Sequence, residues 1–293
     1  MSAEQVPVNA VGPANAPGSA AGIFTEPRWA KAILMTLAIA FVGLMILLPV
    51  ANIIFEATSK GWSSYVGAVA DPDTQSALKL TLKVAAIVVP MNAVFGISAA
   101  WAITKFDFRG KPVLLTLIDL PLAVSPVVAG LIFIIIFGQS GYWGPWLRDH
   151  GIEIVFATPG IALATAFVTF PLVARALIPV MQEAGRGSEE AAITLGASGI
   201  QTFWHVTLPN VKWGLLNGLI LCNARAMGEF GAVAVVSGKI TGKTDTLPLR
   251  IEKLDKGYAT TEAFGVATFL VALALITLVL KALVEWRTGR KTI

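Results

Sequence analysis

Long apolar runs constrain this chain more than any other feature of its sequence. Six segments carry almost no charge, and each is long enough to cross the ~30 Å hydrocarbon core of a bilayer. They are residues 32–55, 84–104, 112–137, 154–174, 213–238 and 263–280. Only 14% of the 293 residues are charged, against roughly 25% in soluble proteins. The sequence therefore predicts an all-α integral membrane protein with six transmembrane helices.

The basic residues of the short loops predict how the chain is oriented. Arg28 and Lys31 precede the first segment, and Lys105, Arg109 and Lys111 separate the second segment from the third. Four more basic residues follow the sixth segment, on the same side of the predicted membrane. Because Lys and Arg favour cytoplasmic loops, we expect both termini in the cytoplasm. The net charge of +4 is then a feature of membrane orientation, and we expect no nucleic-acid partner.

A polar stretch between the fourth and fifth segments, GRGSEEAAITLGASGIQTFWHVTLPN at 185–210, begins with the pattern of a short helix. Ser188 is a good N-cap residue. Glu189 and Glu190 then fall in the first turn, where the helix dipole favours negative charge. Gly196 is expected to end this helix with a positive φ.

A second short helix is predicted in the same stretch. Ser198 and Gln201 have the spacing of a capping box, and Pro209 is expected to stop the helix. Phe203 and Trp204 give this helix an apolar surface. We predict a rigid cytoplasmic elbow made of two short helices joined at a glycine.

Another stretch, VVSGKITGKTDTL at 235–247, superficially resembles a nucleotide-binding P-loop. A P-loop needs four residues between its first glycine and the Gly-Lys pair. Only three residues separate Gly238 from Gly242, and Pro248 argues against a helix starting at the loop. We therefore expect Lys243 and Thr244 to lie in a polar outer loop that binds no nucleotide.

The chain has no set of residues typical of an enzyme. His150 and His205 stand alone in predicted loops, and Cys222 lies in an apolar run. Neither a metal cluster nor a nucleophile with its base is present in the sequence pattern. We expect no catalytic residue, no metal and no cofactor in this chain.

Three charged residues interrupt the apolar segments. Arg225 and Glu229 are four residues apart, so they lie on one face of a helix and can pair. They form either a structural ion pair or part of an anion pathway, in which Arg225 attracts a dianion and Glu229 releases it. Asp119 is either a proton carrier or a polar contact near the cytoplasmic end of its helix.

The stretch at 185–210 resembles the EAA motif of type I ABC importer permeases, the cytoplasmic loop that docks into the ATPase subunit. The residues that this resemblance assigns to ATPase docking are Glu189, Glu190, Ala191, Ala192, Gly196, Ala197, Phe203, Leu208 and Pro209. Three further stretches, QTFWHVTLPN, CNARAMGEFGAVAVVSGKITGKTDTLPL and DLPLAVSPVVAGL, are similar to those of sulfate/thiosulfate permeases of the CysW type. Molybdate permeases share the pattern around Gly228–Gly231 and Gly242–Thr244.

This resemblance implies a domain organisation and a set of partners. Residues 1–27 are a disordered cytoplasmic tail, 28–75 the first transmembrane helix and outer loop, 76–283 the permease domain, and 284–293 a cytoplasmic tail. The partners are a dimer of ABC ATPase subunits, a second homologous permease subunit, membrane lipid and a periplasmic sulfate/thiosulfate-binding protein. The permease is expected in the bacterial inner membrane, importing sulfate or thiosulfate by alternating access with ATP hydrolysed by the separate ATPase.

Two other interpretations stay open. A molybdate or tungstate ABC permease shares the motifs. A proton-coupled secondary anion transporter would use Asp119, Arg225 and Glu229 as a relay but leaves the elbow unexplained.

One outer loop departs from the orientation rule because it is rich in basic residues. These residues are Lys239, Lys243, Arg250, Lys253 and Lys256. They are expected to meet an acidic binding protein or to guide the anion to the entrance. Lys243 is therefore a pathway candidate together with Arg225 and Glu229.

Overall fold

A computed structural model describes residues 27–288, and every regular element in that range is a helix. The helices are α1 (Arg28–Thr58), α2 (Trp62–Ala70), α3 (Pro72–Lys105), α4 (Lys111–Ala123), α5 (Pro126–Phe137), α6 (Gly144–Asp149), α7 (Thr158–Ala184), α8 (Gly187–Thr194), α9 (Gly199–Thr202), a π-helix (Phe203–Thr207), α10 (Leu208–Met227), α11 (Gly231–Val236), α12 (Leu247–Lys256) and α13 (Thr260–Thr288). The predicted all-helical class is confirmed. Of the tails predicted for residues 1–27 and 284–293, residues 1–26 and 289–293 lie outside the described residues.

The chain divides into two compact units, one ending at Val50 and the other beginning at Ala51. Most of the first unit's described part is α1, whose apolar window has a mean hydropathy of 2.7. This value confirms the first predicted segment as a helix of spanning length.

The core of the second unit lies where α3, α7 and α10 pack together. Small residues allow these helices to approach closely, as expected for helices in a membrane. A Cβ atom added to Gly96 of α3 would lie 2.6 Å from Val173 of α7, and one added to Gly218 of α10 would lie 3.0 Å from Ala176. Buried Val173, Leu177 and other apolar residues fill the space between them.

The third apolar segment does not form one straight helix. It folds into α4 and α5, which are bent by 107° at the short break between them. Ser125 is extended, with ψ of 132°, because the ring of Pro126 disfavours the helical conformation in the preceding residue. The predicted segment 112–137 is thus divided into two helices, which can be counted together as one crossing.

Four helices of the described chain are long and apolar enough to cross a membrane, or five if the bent pair α4–α5 counts as one crossing. The predicted number of six is not reached by these criteria. The fifth segment falls short because α10 carries Lys212, Arg225 and several amide side chains, and because the helix is interrupted between Met227 and Gly231.

The long helices also extend beyond the predicted apolar segments. α3 begins at Pro72 because the side chain of Asp71 accepts a hydrogen bond from the backbone N–H of Thr74, at 3.0 Å, and caps the helix. Helix α7 extends past the C-terminal end of its predicted segment to Ala184, so Arg175 lies inside the helix. α13 continues to Thr288, so residues 284–288 of the predicted C-terminal tail are helical.

Candidate functional site

The predicted elbow begins with α8 (Gly187–Thr194). Glu189 and Glu190 lie in its first turn, as the sequence predicted. The predicted cap was wrong: Arg186 occupies the N-cap position without a side-chain cap, and Ser188 lies within the helix. The negative charges of the two glutamates therefore interact favourably with the helix dipole and stabilise the start of α8, although no serine caps it.

Gly196 ends this helix, as predicted, with a φ of +90°. The N–H of Gly196 donates to the carbonyl of Ile193 at 2.9 Å, and the N–H of Ala197 donates to that of Ala192 at 3.0 Å. These two bonds are the pattern of a Schellman motif, in which a glycine takes the left-handed position. Gly196 therefore has a conformational role in joining the two parts of the elbow.

The second part of the elbow begins with the predicted capping box. The backbone N–H of Ser198 donates to Oε1 of Gln201 at 2.8 Å, and the N–H of Gln201 donates to Oγ of Ser198 at 3.4 Å. Helix α9 that follows is only four residues long.

Pro209 does not stop the second helix, which corrects the sequence prediction. The chain continues from α9 through the π-helix into α10, and Pro209 lies in the first turn of α10. The N–H of Leu208 bonds to the carbonyl of Phe203 with the longer π-helical spacing. Proline is tolerated at the start of a helix because its missing N–H is not needed there. The elbow is thus continuous with the helix that carries Arg225.

Contacts with the end of α3 hold the elbow in place. Nζ of Lys105 lies 3.0 Å from Oε2 of Glu189 and donates to the carbonyl of Gly185 at 2.5 Å. Oγ1 of Thr207 donates to Oε1 of Glu189 at 2.7 Å. The ring of Phe203 stacks on Trp101, with centroids 5.0 Å apart. The contacts with Lys105 and Trp101 could not be predicted from the sequence, because these residues lie far from the elbow along the chain.

The remaining elbow residues leave a mainly apolar surface uncovered in this chain. Glu190, Ala191 and Pro209 are exposed, whereas Ala192, Ala197 and Leu208 are half-buried. Large apolar side chains surround them with high exposed fractions: Ile193 58%, Leu195 89%, Ile200 74% and Trp204 60%. Glu189 and Phe203 are therefore structural members of the elbow, while Glu190 belongs to its open surface.

Arg225 and Glu229 form the predicted pair. Nη2 of Arg225 lies 3.5 Å from Oε2 of Glu229, although α10 ends between them at Met227. Oε1 of Glu229 accepts a hydrogen bond from the N–H of Ala232, at 3.1 Å, at the start of α11. The Glu229 side chain is only 2% exposed and the Arg225 side chain 52% exposed. The two residues thus differ in role: Glu229 is part of the fold, and Arg225 reaches an open surface.

Glu229 also lines a small buried cavity. Its Oε2 atom and the hydroxyl groups of Thr165 and Thr246 have no hydrogen-bond partner within residues 27–288, and all three residues border this cavity. Polar atoms therefore surround the break between α10 and α11, inside the predicted fifth transmembrane segment.

Asp119 contacts a residue that the sequence prediction had missed. Nε of Arg175 donates to Oδ1 of Asp119 at 2.7 Å, which links α4 to α7. The predicted fourth segment ended at residue 174, one residue before Arg175. The sequence signal for Arg175 was the mainly apolar run VARALIPV at 173–180, which continues the helical pattern past residue 174.

Most basic residues of the outer loop have acidic partners within the chain. Arg250 lies 2.9 Å from Asp71 and 3.5 Å from Asp73. The other pairs are Lys239–Glu252 at 2.6 Å, Lys256–Glu252 at 2.5 Å and Lys253–Asp245 at 3.8 Å. Lys243 is exposed, and no ion pair is found for it within the described residues. The basic excess of this loop is thus largely balanced by neighbouring carboxylates.

These contacts change the acidity of the carboxyl groups outside the spans. Burial opposes ionisation of Asp71, but the hydrogen bonds from Thr74 and the charge of Arg250 together lower its pKa below 3.8. Asp245 is 3% exposed, and both of its oxygens lack a hydrogen bond. Burial therefore raises the pKa of Asp245 even though Lys253 and Arg250 favour its charged form.

The Gly242-Lys243-Thr244 stretch does not form an open phosphate cradle. Oγ1 of Thr244 accepts a hydrogen bond from the N–H of Ile240 at 3.1 Å, so the loop folds onto itself. The prediction that Pro248 prevents a helix here was wrong, because α12 begins at Leu247 with Pro248 in its first turn. The spacing between Gly238 and Gly242 still differs from that of a P-loop.

The structure combines helices that are long and apolar enough to cross a membrane with an elbow whose apolar surface is exposed. This combination is typical of a subunit of a membrane transport system. The sequence profile described as "Binding-protein-dependent transport system inner membrane component" matches residues 92–291, and the chain belongs to this family. Among its relatives is "Sulfate transport system permease protein CysW" of Synechococcus elongatus, 50% identical over 93% of this chain and 95% of that protein.

Two further proteins are similar at greater distance. "Sulfate transport system permease protein CysT" of Salmonella typhimurium is 35% identical over 87% of this chain and 92% of that protein. A chain of the bacterial alginate ABC transporter, crystallised in complex with an alginate pentasaccharide-bound periplasmic protein, superposes with a TM-score of 0.74 and 15% identity, covering 90% of this chain and 96% of that chain. This last similarity establishes the fold, which is that of an ABC transporter permease.

Proposed function

We propose that this chain is the permease subunit of an ABC importer that carries sulfate or thiosulfate across the bacterial inner membrane. The observation that carries the proposal is the 50% identity to a CysW sulfate permease over nearly the full length of both chains. The buried arrangement around Glu229 and the half-exposed Arg225 are consistent with an anion pathway.

The importer would contain several other subunits. The 35% identity to a CysT sulfate permease supports a second, homologous permease as the partner in the membrane. Two copies of an ABC ATPase would dock on the elbow, where Leu195, Ile200 and Trp204 offer apolar surface and Glu190 an uncompensated carboxylate. A periplasmic binding protein would deliver the anion. ATP hydrolysis belongs to the ATPase, and this chain is not catalytic.

Six crossings would place both termini in the cytoplasm. α1, α3, the bent pair α4–α5, α7 and α13 would provide five of them. α10 and α11 together would provide the sixth. The charged residues of α10 would not meet lipid, because they would pair with other residues or contact protein and water. In this arrangement the elbow lies in the cytoplasm and the Lys243 loop on the periplasmic side.

Lys243 is proposed to contact the binding protein or the incoming anion. Within the described residues it has no ion-pair partner, whereas the other basic residues of the loop pair with carboxylates of this chain. Its contribution would weaken as salt rises, because exposed charges are screened. Arg225 and Glu229 would act further inside, with Arg225 facing the anion and Glu229 holding its position.

Reconstitution tests this proposal against its alternatives. The chain is assembled in proteoliposomes with a CysT-type permease, the ATPase and a sulfate-binding protein, and uptake of radiolabelled sulfate is measured. We expect uptake to require ATP and to be inhibited by thiosulfate more than by equimolar molybdate. Preferred molybdate or tungstate uptake would support that alternative substrate class. Uptake driven by a proton gradient without ATP would support a secondary transporter.

A further inference from the structure

A second ion pair lies within the membrane helices, between α4 and α7. Nε of Arg175 donates to Oδ1 of Asp119 at 2.7 Å. The described part of the chain covers only about half of each side chain, since Arg175 is 55% exposed and Asp119 45% exposed. An ion pair this open is ordinary in water but not in a membrane segment.

At 1.5 Å per residue, Asp119 is about 12 Å along α4 from Lys111 and about 6 Å from Ala123, and Arg175 is about 14 Å along α7 from Ala184. A charge in hydrocarbon costs ~2.5–3.5 kcal/mol on insertion scales. The half-exposed side chains of both residues would carry this cost if lipid covered them. The exposed face of the pair must therefore meet protein or water instead of lipid.

The geometry of Arg175 leaves anion-binding capacity open. Only its Nε is engaged by Asp119, and its two Nη groups have no hydrogen-bond partner within the part of the chain that the structure describes. Two Nη groups in one plane can donate in parallel to two oxygens of a tetrahedral oxyanion. Because Asp119 already neutralises much of the charge, binding would be weak, as passage through a pathway requires.

We propose that Arg175 is an anion contact in the cytoplasmic half of the translocation pathway and that Asp119 positions its guanidinium group. Arg225 is about 26 Å along α10 from Leu208, whereas Arg175 lies much nearer the elbow side of α7. An imported oxyanion would thus leave the region of Arg225 and meet a second arginine before release. The assignment of this side to the cytoplasm rests on the function proposed above.

Cysteine accessibility tests whether Arg175 faces water. The single native cysteine, Cys222, is fully buried, so Cys222→Ala provides the background for Arg175→Cys in the assembled complex. Leu117→Cys is the matched control, because Leu117 lies on α4 two residues from Asp119 and is 56% exposed. A charged, membrane-impermeant thiosulfonate should modify Arg175→Cys from the elbow side, more slowly in the presence of sulfate, and should not modify Leu117→Cys.

Uptake measurements on the same variants test the role of the charge. Arg175→Cys should lower the initial rate of sulfate uptake by about tenfold, the loss expected for one charge-assisted hydrogen-bonding site of ~1.4 kcal/mol. Modification with a positively charged aminoethyl thiosulfonate should recover part of the uptake, and a negatively charged reagent should not. Arg175→Lys, which keeps the charge but loses the planar fork, should retain assembly and an intermediate rate.

Three results would overturn the inference. If Arg175→Cys stays unreactive with and without ATP, Arg175 lies in an interface with another subunit. If Arg175→Cys and Arg175→Lys transport like the Cys222→Ala parent, or if restoring positive charge recovers nothing, Arg175 does not contact the anion. Absence of sulfate uptake in the parent would instead contradict the proposed function, while the accessibility result would still report whether Arg175 lines a water-filled cavity.

Discussion

The unequal burial of Arg225 and Glu229 gives each residue a separate role. Glu229 is enclosed and accepts a hydrogen bond from the N–H of Ala232, so its carboxylate fixes the start of α11. Arg225 is half-exposed and lies at the long distance of 3.5 Å from that carboxylate. A weak, one-sided contact of this kind leaves the guanidinium free to meet an anion.

We predict that Arg225→Gln assembles normally, hydrolyses ATP and loses about tenfold in sulfate uptake, since one charged hydrogen-bonding site of ~1.4 kcal/mol is removed. Glu229→Ala should instead lower the melting temperature of the complex, because it removes the hydrogen bond that the N–H of Ala232 donates at the start of α11, worth ~1 kcal/mol. The double variant Arg225→Gln, Glu229→Gln is the control. If it transports like the parent while Arg225→Gln does not assemble, the pair is structural.

Two aspartates of the outer region should respond to pH in opposite directions. Folding raises the pKa of Asp245, so ionised Asp245 destabilises the fold, and this penalty grows as pH rises above 3.8. Folding lowers the pKa of Asp71, so ionised Asp71 stabilises the fold, and this contribution is lost as pH falls below 3.8.

We therefore predict that at pH 7 Asp245→Asn raises the melting temperature of the purified complex and Asp71→Asn lowers it. The Asp245 difference should shrink as the pH falls towards 4, whereas the Asp71 difference should persist at pH 4 and shrink only below 3.8. A thermal unfolding series in detergent would measure both. A lower melting temperature for Asp245→Asn at pH 7 would mean that its contact with Lys253, at 3.8 Å, outweighs the cost of burial.

Among the elements, the elbow shows where sequence reasoning succeeds. Gly196 and the Ser198–Gln201 capping box were predictable because helix ends depend on residues three or four positions apart. The contacts of Glu189 with Lys105 and of Phe203 with Trp101 were not, since they join parts of the chain distant in sequence. Pro209 was misinterpreted because a proline that starts one helix looks the same in sequence as a proline that ends another.

We predict that Gly196→Asp uncouples the transporter. A Cβ atom at Gly196 meets no atom within 4 Å, so the cost comes from its φ of +90°, ~1–2 kcal/mol for a residue with a side chain. The strained elbow should bind the ATPase weakly or hydrolyse ATP without uptake. Retention of the ATPase on the purified complex and substrate-stimulated hydrolysis are the measurements.

Gly199→Asp is the matched control for this variant. Its Cβ also meets no atom within 4 Å, but Gly199 lies in the first turn of α9, where ordinary φ and the helix dipole accept aspartate. Gly199→Asp should therefore couple like the parent. Equal behaviour of both variants would show that backbone conformation at Gly196 is not what positions the elbow.

For the whole molecule, hydropathy predicted the helical membrane class but not the paths of the third and fifth segments. The 107° bend between α4 and α5 and the break at Gly228–Phe230 both fall inside apolar runs. Such breaks are tolerated in a membrane when other helices satisfy the freed backbone groups. The contact of Arg175 with Asp119 joins two helices, so it is recognisable only once the helices are placed side by side.

The number of crossings is the remaining large-scale prediction, and the interrupted α10–α11 segment decides it. If this segment crosses, Leu195 in the elbow and Lys243 in the outer loop lie on opposite sides of the membrane; if it does not, they share a side. Both residues are exposed, so each can be replaced by cysteine in the Cys222→Ala background without disturbing the core. In right-side-out vesicles, we expect an impermeant thiol reagent to label Lys243→Cys directly and Leu195→Cys only after permeabilisation. Labelling of both residues before permeabilisation would place the elbow outside the cytoplasm, where no ATPase could reach it.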